Sequence, residues 1–340
     1  MVGGMSLLPE RHPTGDFFIA EVTDAMPKDD TASMAHPFFS LATKPDQRHL
    51  QYGSGENRID IIPSTAGLPT IMDKDILIFC ISQAMHRKNK GQPISKRVRF
   101  SARELSIATN RPIGGNHYKR LERAFVRLRG ATFKSNIRTG GRVETRIYGL
   151  IDEGGFVMKD DGSFRLDYCE VVLSDWIMRA IESNEVVSIS RDYFRLRRPL
   201  ERRLYEIARK HCGNSPKWHI GLEKLQDKTG SNAPIKKFRH SLREIIKADV
   251  TPFYQFELNP ESDLVTIRPR TAPTDRVGDI VIPAWAEEKA RAAAIERGWD
   301  FHALRSEWIE FAKAQTAKGN PPKNAGAAFV RFCEKKEKLR

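Results

Sequence analysis

The sequence has few of the side chains from which metal and redox sites are built. Its four cysteines are widely spaced along 340 residues, and no Cys-x-x-Cys pair occurs. This spacing argues against a zinc ribbon and a thioredoxin-type redox site. Cys80 and Cys333 fall in helical apolar patterns and are predicted to be core residues. His211, Cys212 and His219 are neighbours, but their spacing matches no common metal pattern, so we expect neither a metal nor a cofactor.

Long apolar runs are also missing. The longest, residues 76–81, is far shorter than the ~20 residues that span a bilayer. Residues 1–9 lack the basic-then-apolar pattern of a signal peptide. We therefore expect no membrane partner and a cytoplasmic location.

Motifs of nucleic-acid enzymes are absent as well. The chain contains no His-x-His pair of the kind that rolling-circle enzymes use, and no Gly-x-x-x-x-Gly-Lys-Ser/Thr phosphate loop. Asp73 and Asp75 are better interpreted as partners of a helix N-terminus than as a catalytic pair. Residues 160–162 are typical of a turn. We expect no catalytic residue and predict that the protein is not an enzyme.

Positive charge, in contrast, is abundant and unevenly distributed. The formal net charge is +14 and the pI is about 9.7, which favours a polyanionic partner. Residues 84–150 hold seventeen Lys and Arg against three acids, and residues 191–247 hold sixteen against six. The two windows together carry +24, so the rest of the chain carries −10.

The first window contains a predicted amphipathic helix over residues 116–129. Its apolar stripe, at spacing i, i+3, i+4 and i+7, consists of Leu121, Ala124, Phe125 and Leu128. Its other faces carry Lys119, Arg120, Arg123 and Arg127. A helix with this pattern needs a core behind it and an anion in front, which indicates nucleic acid. A solvated basic face is the simpler alternative.

The flanking segments predict a winged helix-turn-helix. Ser101 and Glu104 form a capping box that opens a short helix, and residues 110–115 break it. Two alternating strands then surround a turn at residues 138–141. Short helix, turn, basic helix and ribbon is the winged order. In this interpretation helix 116–129 fits the major groove, ~12 Å wide, and Arg138 and Arg142 at the wing tip approach phosphates or the neighbouring minor groove.

The same order recurs around a second predicted basic helix, residues 235–248. A helix over 199–211, a strand over 218–220 and a short helix over 222–229 precede it, and a ribbon over 253–268 follows. Its cationic or potentially cationic side chains are Lys236, Lys237, Arg239, His240, Arg243 and Lys247. For Arg243, bidentate pairing with guanine and a phosphate contact both remain open. His240 either reads a base or is an ordinary surface residue.

We therefore predict an α+β fold with two tandem winged helix-turn-helix domains and a small all-α C-terminal domain. The predicted boundaries are a flexible arm over 1–57, domains over 58–158 and 159–270, a linker over 271–280 and a helical domain over 281–340. The aromatic and aliphatic residues predicted to form the core of the last are Trp299, Phe301, Leu304, Trp308, Phe311, Phe329 and Phe332. Stacking of Trp285, Trp299 and Trp308 on single-stranded DNA is the alternative to a core role.

Dispersed, colinear motifs over about residues 6–270 resemble one family, the RepA group of replication initiators of proteobacterial plasmids. They include Leu7-Leu-Pro-Glu-Arg-His-Pro-Thr-Gly-Asp-Phe-Phe18, Met34-Ala-His-Pro-Phe-Phe-Ser-Leu41, residues 73–78, 108–111 and 118–121, and Arg197-Arg-Pro-Leu-Glu-Arg-Arg-Leu-Tyr-Glu206. The C-terminal residues 308–311 and 324–333 resemble a small helical module attached to several replication proteins.

The resemblance implies an initiator that binds repeated origin sites (iterons) on double-stranded DNA and helps to open the origin. It implies recruitment of host DnaA, helicase or primosome proteins, association with the plasmid and nucleoid, and repression of its own promoter as a dimer. Carried over by position, helix 235–248 would read bases and helix 116–129 would contact phosphates. The alternatives are a winged-helix transcriptional regulator without a replication role, against which the C-terminal region weighs, and an RNA-binding protein.

Overall fold

The structure is a computed structural model. It describes residues 7–8, 17–20, 37–54, 57–89, 91–112, 117–139, 142–159, 166–182, 186–213, 215–270, 282, 284–297, 299, 301–320, 322 and 324–337. The fold is mixed α+β, as predicted.

Twelve strands and ten α-helices are described within those ranges. The strands are β1 (Phe17–Ala20), β2 (Leu50–Ser54), β3 (Asn57–Ile62), β4 (Arg97–Phe100), β5 (Thr132–Thr139), β6 (Arg142–Tyr148), β7 (Ile151–Met158), β8 (Leu166–Leu173), β9 (Val186–Ile189), β10 (Trp218–Gly221), β11 (Tyr254–Leu258) and β12 (Leu264–Pro269). The α-helices are α1 (Lys74–Asn89), α2 (Ala102–Ala108), α3 (His117–Gly130), α4 (Asp175–Glu182), α5 (Pro199–His211), α6 (Leu222–Thr229), α7 (Ile235–Ala248), α8 (Ala284–Glu296), α9 (Phe301–Ala317) and α10 (Ala325–Lys335). A 3-10 helix, Arg191–Arg195, precedes α5.

One arrangement of helices and strands occurs twice. The first unit consists of α1, β4, α2, α3, β7 and β8, and the second unit consists of α5, β10, α6, α7, β11 and β12. In each unit the first strand pairs with the last, which pairs with the middle one, giving the sheet orders β4-β8-β7 and β10-β12-β11. The two basic helices α3 and α7 therefore occupy equivalent places.

The turn that leads into each basic helix begins in the same way. Thr109 and Thr229 end the preceding short helices, are fully buried, and each hydroxyl donates to a backbone carbonyl of its own helix. The next residue is left-handed in both units: Asn110 has φ 53° and Gly230 has φ 73°. At Gly230 a side chain would also collide with Pro37, whose Cγ lies 2.6 Å from the position of a Cβ.

The hairpin predicted as the wing of the first unit is present, but in another sheet. β5 and β6 pair around residues 140–141, and β5 also pairs with β3 in a sheet ordered β2-β3-β5-β6. The ribbon that pairs with β4 is β7–β8. The predicted domain boundary had placed β7 in the first domain and β8 in the second. β7 approaches α3 closely at Gly154, where a Cβ would lie only 3.0 Å from the Phe125 ring. The absence of a side chain at Gly154 permits this approach.

The buried cores place the division between the units later than residues 158/159. The first core extends from Phe38 to Val186, and the second takes most of its residues from Ile189 to Ile267. A boundary at 158/159 would separate β7 from its partner β8. The predicted N-terminal arm also differs, because Phe38 and Phe39 are buried, β1 pairs with β9 and β2 pairs with β3. The other residues of that arm lie largely outside the described ranges.

The C-terminal helices α8, α9 and α10 surround their own core. Phe301, Leu304, Trp308 and Phe329 are buried there, and Trp299 and Phe332 pack against it, as predicted. Phe311 is half-exposed instead, so its assignment to the core was wrong. The linker over 271–280 and the side chain of Trp285 lie outside the described residues.

A buried carboxylate connects the two units. Asp75, in the first turn of α1, accepts from Arg202 Nη1 of α5 at 2.7 Å and from Arg111 Nη2 at 2.5 Å. Both Asp75 and Arg202 are almost inaccessible to solvent. Nearby, Lys74 pairs with Glu206 of α5 at 2.9 Å. Charges buried at this depth persist only when they are paired, so these contacts fix α5 against α1.

Candidate nucleic-acid interface

Helix α3 has the two faces that the sequence predicts. Leu121, Ala124, Phe125 and Leu128 are all buried, and Phe125 packs on Phe156 of β7 with ring centroids 5.3 Å apart. Three of its predicted DNA-binding cations, Lys119, Arg120 and Arg123, are exposed. Within the described part of the chain none of these three forms an ion pair.

Arg127, the fourth predicted cation of α3, is engaged within the protein. Its Nε donates to Asp73 Oδ2 and its Nη2 donates to Asp73 Oδ1, both at 2.7 Å. Asp73 also accepts from the backbone N–H of Thr70, whose hydroxyl accepts from the N–H of Asp73 at the start of α1. Bidentate guanidinium–carboxylate contacts are among the strongest hydrogen bonds in proteins. This geometry favours a structural role for Arg127, which anchors α3 to α1.

Helix α7, like α3, exposes cations on the side opposite its core. Phe238, Leu242 and Ile245 are buried on one side. The exposed predicted site residues on the other side are Lys236, Lys237, His240, Arg243 and Lys247. Among the described residues no acid pairs with any of the five, including Glu244 on the same helix. The exposed face of α7 therefore carries an uncompensated positive charge.

Two ion pairs fix the ribbon of the second unit relative to α7. Arg239 pairs with Asp263 in the turn between β11 and β12, and its Nε is buried without a hydrogen-bond partner. Arg270, after β12, donates from Nη1 to Asp249 at 2.8 Å and from Nη2 to the Asp249 carbonyl at 2.7 Å, just beyond the end of α7. Arg239 is thus half-buried against the ribbon and less available than its neighbours.

The predicted site residues on the first hairpin are defined only by backbone register. Arg138 lies opposite Val143, and Arg142 lies opposite Thr139. Their side chains lie outside what the structure describes. The β11–β12 turn, in contrast, carries Glu261 and Asp263, and the Asn259 side chain accepts from the N–H of Glu261 at 2.9 Å.

A second cationic region lies at the end of α6. Arg203 of α5 donates from Nη2 to the Lys228 carbonyl at 2.9 Å. Burial, followed by the charges of Arg203 and Lys210, lowers the pKa of Lys228 to about 8. Burial, followed by the charges of Lys228, Lys210 and Arg203, lowers the pKa of His211 to about 3. The His211 ring stacks on Trp218. Sequence patterns did not identify this region, because its members come from α5 and α6 and meet only in three dimensions.

No group of three or more His, Cys, Asp or Glu side chains within the described ranges could hold a metal ion. No helix in the same ranges is long and apolar enough to cross a bilayer. All four cysteines are buried and free, which confirms Cys80 and Cys333 as core residues.

The chain is similar to several known proteins. A protein of Wigglesworthia glossinidia brevipalpis named "Putative replication protein" is 35% identical over 258 residues, which cover 75% of this chain and 94% of that protein. Two crystal structures of RctB domains 2 and 3 align over 68% and 67% of this chain and 94% and 92% of theirs, with 11% and 12% identity and TM-scores of 0.48 and 0.49. The model of the family described as replication initiator protein A matches residues 28–256. The chain therefore belongs to the replication initiator protein A family.

Proposed function

We propose that this protein starts replication by binding double-stranded DNA at repeated origin sites through two winged helix-turn-helix units. The observation that carries the proposal is the exposed face of α7, where Lys236, Arg243 and Lys247 have no acid partner among the described residues. An α-helix with its opposite face in a core can enter the major groove. There, Arg243 would pair with a guanine edge and the lysines would contact phosphates.

The first unit contributes affinity in this proposal. Lys119, Arg120 and Arg123 of α3 are exposed and unpaired within the described residues, and would neutralise phosphates. Each neutralised phosphate releases counterions, so affinity should fall steeply with salt. Arg138 and Arg142, on the β5–β6 hairpin, would add contacts to the DNA backbone. This hairpin is separate from the β7–β8 ribbon of the first unit.

The initiator role follows from repetition of binding sites rather than from catalysis. Tandem sites would concentrate the protein along the origin, and the binding energy would deform and open the duplex. We infer no catalytic residue and no cofactor. Host DnaA, helicase or primosome proteins would be the recruited partners, and a dimer would repress the protein's own promoter.

Fluorescence anisotropy on duplexes with the origin repeat and with a scrambled repeat tests base reading. Arg243→Ala should weaken binding to the repeat by about 1–3 kcal/mol more than binding to the scrambled duplex. Arg331→Ala, an exposed cation of the C-terminal unit, is the control and should change neither. Equal losses on the two duplexes would exclude base reading by Arg243.

A plasmid that carries the gene and its flanking repeats tests initiation itself. It should replicate in a host that cannot otherwise maintain it, and the Arg243→Ala plasmid should be lost. Failure of the wild-type plasmid together with intact promoter repression would identify a transcriptional regulator. Stronger competition by RNA than by duplex DNA would indicate an RNA-binding protein.

A further inference from the structure

The two flanks of α7 differ. One flank, at Arg239, is covered by the β11–β12 ribbon through the pair with Asp263. Along the opposite flank runs an open groove of about 330 Å³. Ser241 of α7, Ser231 and Asn232 of the preceding turn, Arg198 before α5, and Arg48 of the first unit are among the residues that line it.

The groove contains polar groups that have no partner among the residues that the structure describes. Arg198 is exposed, and its guanidinium pairs with no acid among the described residues. The hydroxyl of Ser241 and the amide of Asn232 likewise form no hydrogen bond within those residues. The start of α5 is satisfied differently, because the backbone N–H groups of Arg197 and Arg198 both donate to Glu201 Oε2 at 2.9 Å. The groups available to a ligand in the groove are therefore the side chains of Arg198, Asn232 and Ser241.

Arg48 forms the opposite side of the groove and is held in place. Its Nε and Nη2 donate to Asp46 at 2.9 and 2.7 Å, and Asp46 also accepts from Ser40. This network raises the pKa of Arg48, chiefly through the hydrogen bond to Asp46. The contact of Pro37 with Gly230 holds the same segment against the turn before α7. The groove is thus formed between the two units.

Helix geometry places the groove beside the proposed DNA-facing surface. At 3.6 residues per turn, Ser241 follows Lys237 along one strip of α7, and Lys237 is exposed. A helix in the major groove has one sugar–phosphate strand along each flank. On the ribbon flank the acids Glu261 and Asp263 disfavour a phosphate. On the groove flank no acid forms an ion pair with Arg198 among the described residues.

We propose that this groove binds a DNA phosphodiester of the strand that runs along the flank of α7 opposite the ribbon. Arg198 donates to the phosphate oxygens, and Asn232 and Ser241 add hydrogen bonds. Arg48, in the segment before β2, is paired with Asp46 through Nε and Nη2 and would offer only its Nη1 to this strand. The proposal rests on DNA binding by α7.

The test uses the full-length protein with Arg198→Gln, and Arg197→Gln as a matched control. Arg197 is the adjacent exposed arginine and does not line the groove. We expect Arg198→Gln to weaken binding to specific and scrambled duplexes alike, by about 3- to 10-fold, and to reduce the salt slope by about 0.9. Arg197→Gln should remain within about twofold of wild type.

A duplex in which single phosphates are replaced by neutral methylphosphonates locates the contact. At one position beside the site, the substitution should weaken wild type and have no further effect on Arg198→Gln. Asn232→Ala serves as a second variant if Arg198→Gln unfolds, and should lose sensitivity to the same position.

Wild-type affinity and salt slope in Arg198→Gln, with Arg243→Ala still impaired, would overturn the groove contact and leave the proposed function intact. Normal binding by both variants would contradict both proposals. Equal methylphosphonate effects in wild type and Arg198→Gln would also exclude the contact.

Discussion

Helices α3 and α7 occupy equivalent places in two similar units and each exposes four Lys or Arg side chains, but the arginines they engage internally have different partners. The α3 window is the more cationic in sequence, but Arg127 is bound to Asp73, and Lys119, Arg120, Arg123 and Arg129 remain exposed. On α7, four cations and His240 remain exposed, and Arg239 is held by Asp263. Charge density along the sequence therefore differs from charge available to a ligand, because internal ion pairs neutralise part of it.

The comparison also separates anchoring from recognition. α3 is held to α1 through Asp73, and α5 is held to the same helix through Asp75. The first turn of α1 thus fixes the helix that we propose contacts phosphates and the unit that we propose reads bases. α7 itself is restrained mainly by its core and by the ribbon.

Loss of Asp75 should have the largest effect on this arrangement. Asp75→Ala leaves the buried guanidinium of Arg202 without its anion, so we expect the free energy of unfolding to fall by about 3–5 kcal/mol. Urea unfolding followed by circular dichroism measures this. Asp175→Ala, which removes an exposed pair with Lys96, is the control and should cost far less, because solvent screens an exposed pair. Similar losses in the two variants would contradict a special role for the junction.

Arg127 and Arg123 should show opposite behaviour although both lie on α3. Arg127→Ala removes two hydrogen bonds to a buried carboxylate and should cost about 2–3 kcal/mol of stability. Arg123→Ala should leave stability within about 0.5 kcal/mol and weaken DNA binding. Urea titration and anisotropy on the same preparations measure both. A large affinity loss in a stable Arg127→Ala protein would restore Arg127 to the interface.

Lys119 tests whether α3 contacts only phosphates. Lys119→Ala should weaken binding to the repeat and scrambled duplexes equally, and should reduce the slope of log K against log salt by about 0.9. Anisotropy at four or more salt concentrations gives the slope. A loss confined to the repeat would mean that α3 reads bases, and the division of roles between the helices would fail.

Lys228 should give the smallest effect and distinguishes the ends of the two short helices, because Ala108 occupies the equivalent place in α2. Burial, Arg203 and Lys210 lower the pKa of Lys228 to about 8, so its charge destabilises the fold below that pH. Lys228→Ala should stabilise the protein at pH 7 by less than about 1 kcal/mol, since solvent screens a half-exposed group. In the unfolded chain the lysine stays protonated to about pH 10.4, so wild-type stability rises between pH 8 and 10.4 and the difference shrinks. A difference that is constant with pH would rule out this electrostatic cause.

Local structure was predictable from the sequence to a large extent. The bounds of α5, α6 and α7, the Ser101–Glu104 capping box and the buried stripe of α3 were all confirmed. These features depend on contacts within a few residues or on a helical period. Strand partners do not: the alternation in 131–150 and in 151–173 is equally compatible with a wing, and only the pairing of Phe100 with Cys169 shows which ribbon joins β4.

The candidate site was predictable as a set of faces but not as a set of available charges. Helical spacing places Arg127 and Arg239 on the polar side of their helices, as it does Arg123 and Arg243. Their acid partners Asp73 and Asp263 lie 54 and 24 residues away and come from other elements. Arg198 was missed for the same reason, since the groove beside it forms from segments far apart in the chain. The roles of all predicted DNA-binding residues remain predictions.

The carboxylate of Asp75 has a consequence for hybrid initiators. A protein that joins the first unit of one family member to the second unit of another would inherit Asp75 from one parent and its arginine from the other. If the second parent has an apolar side chain in place of Arg202, the buried acid keeps only Arg111 as its cation, and if the first parent lacks the acid, the guanidinium of Arg202 is buried without an anion. Exchange of origin specificity between relatives should therefore succeed only when the hybrid contains both the acid and its arginine.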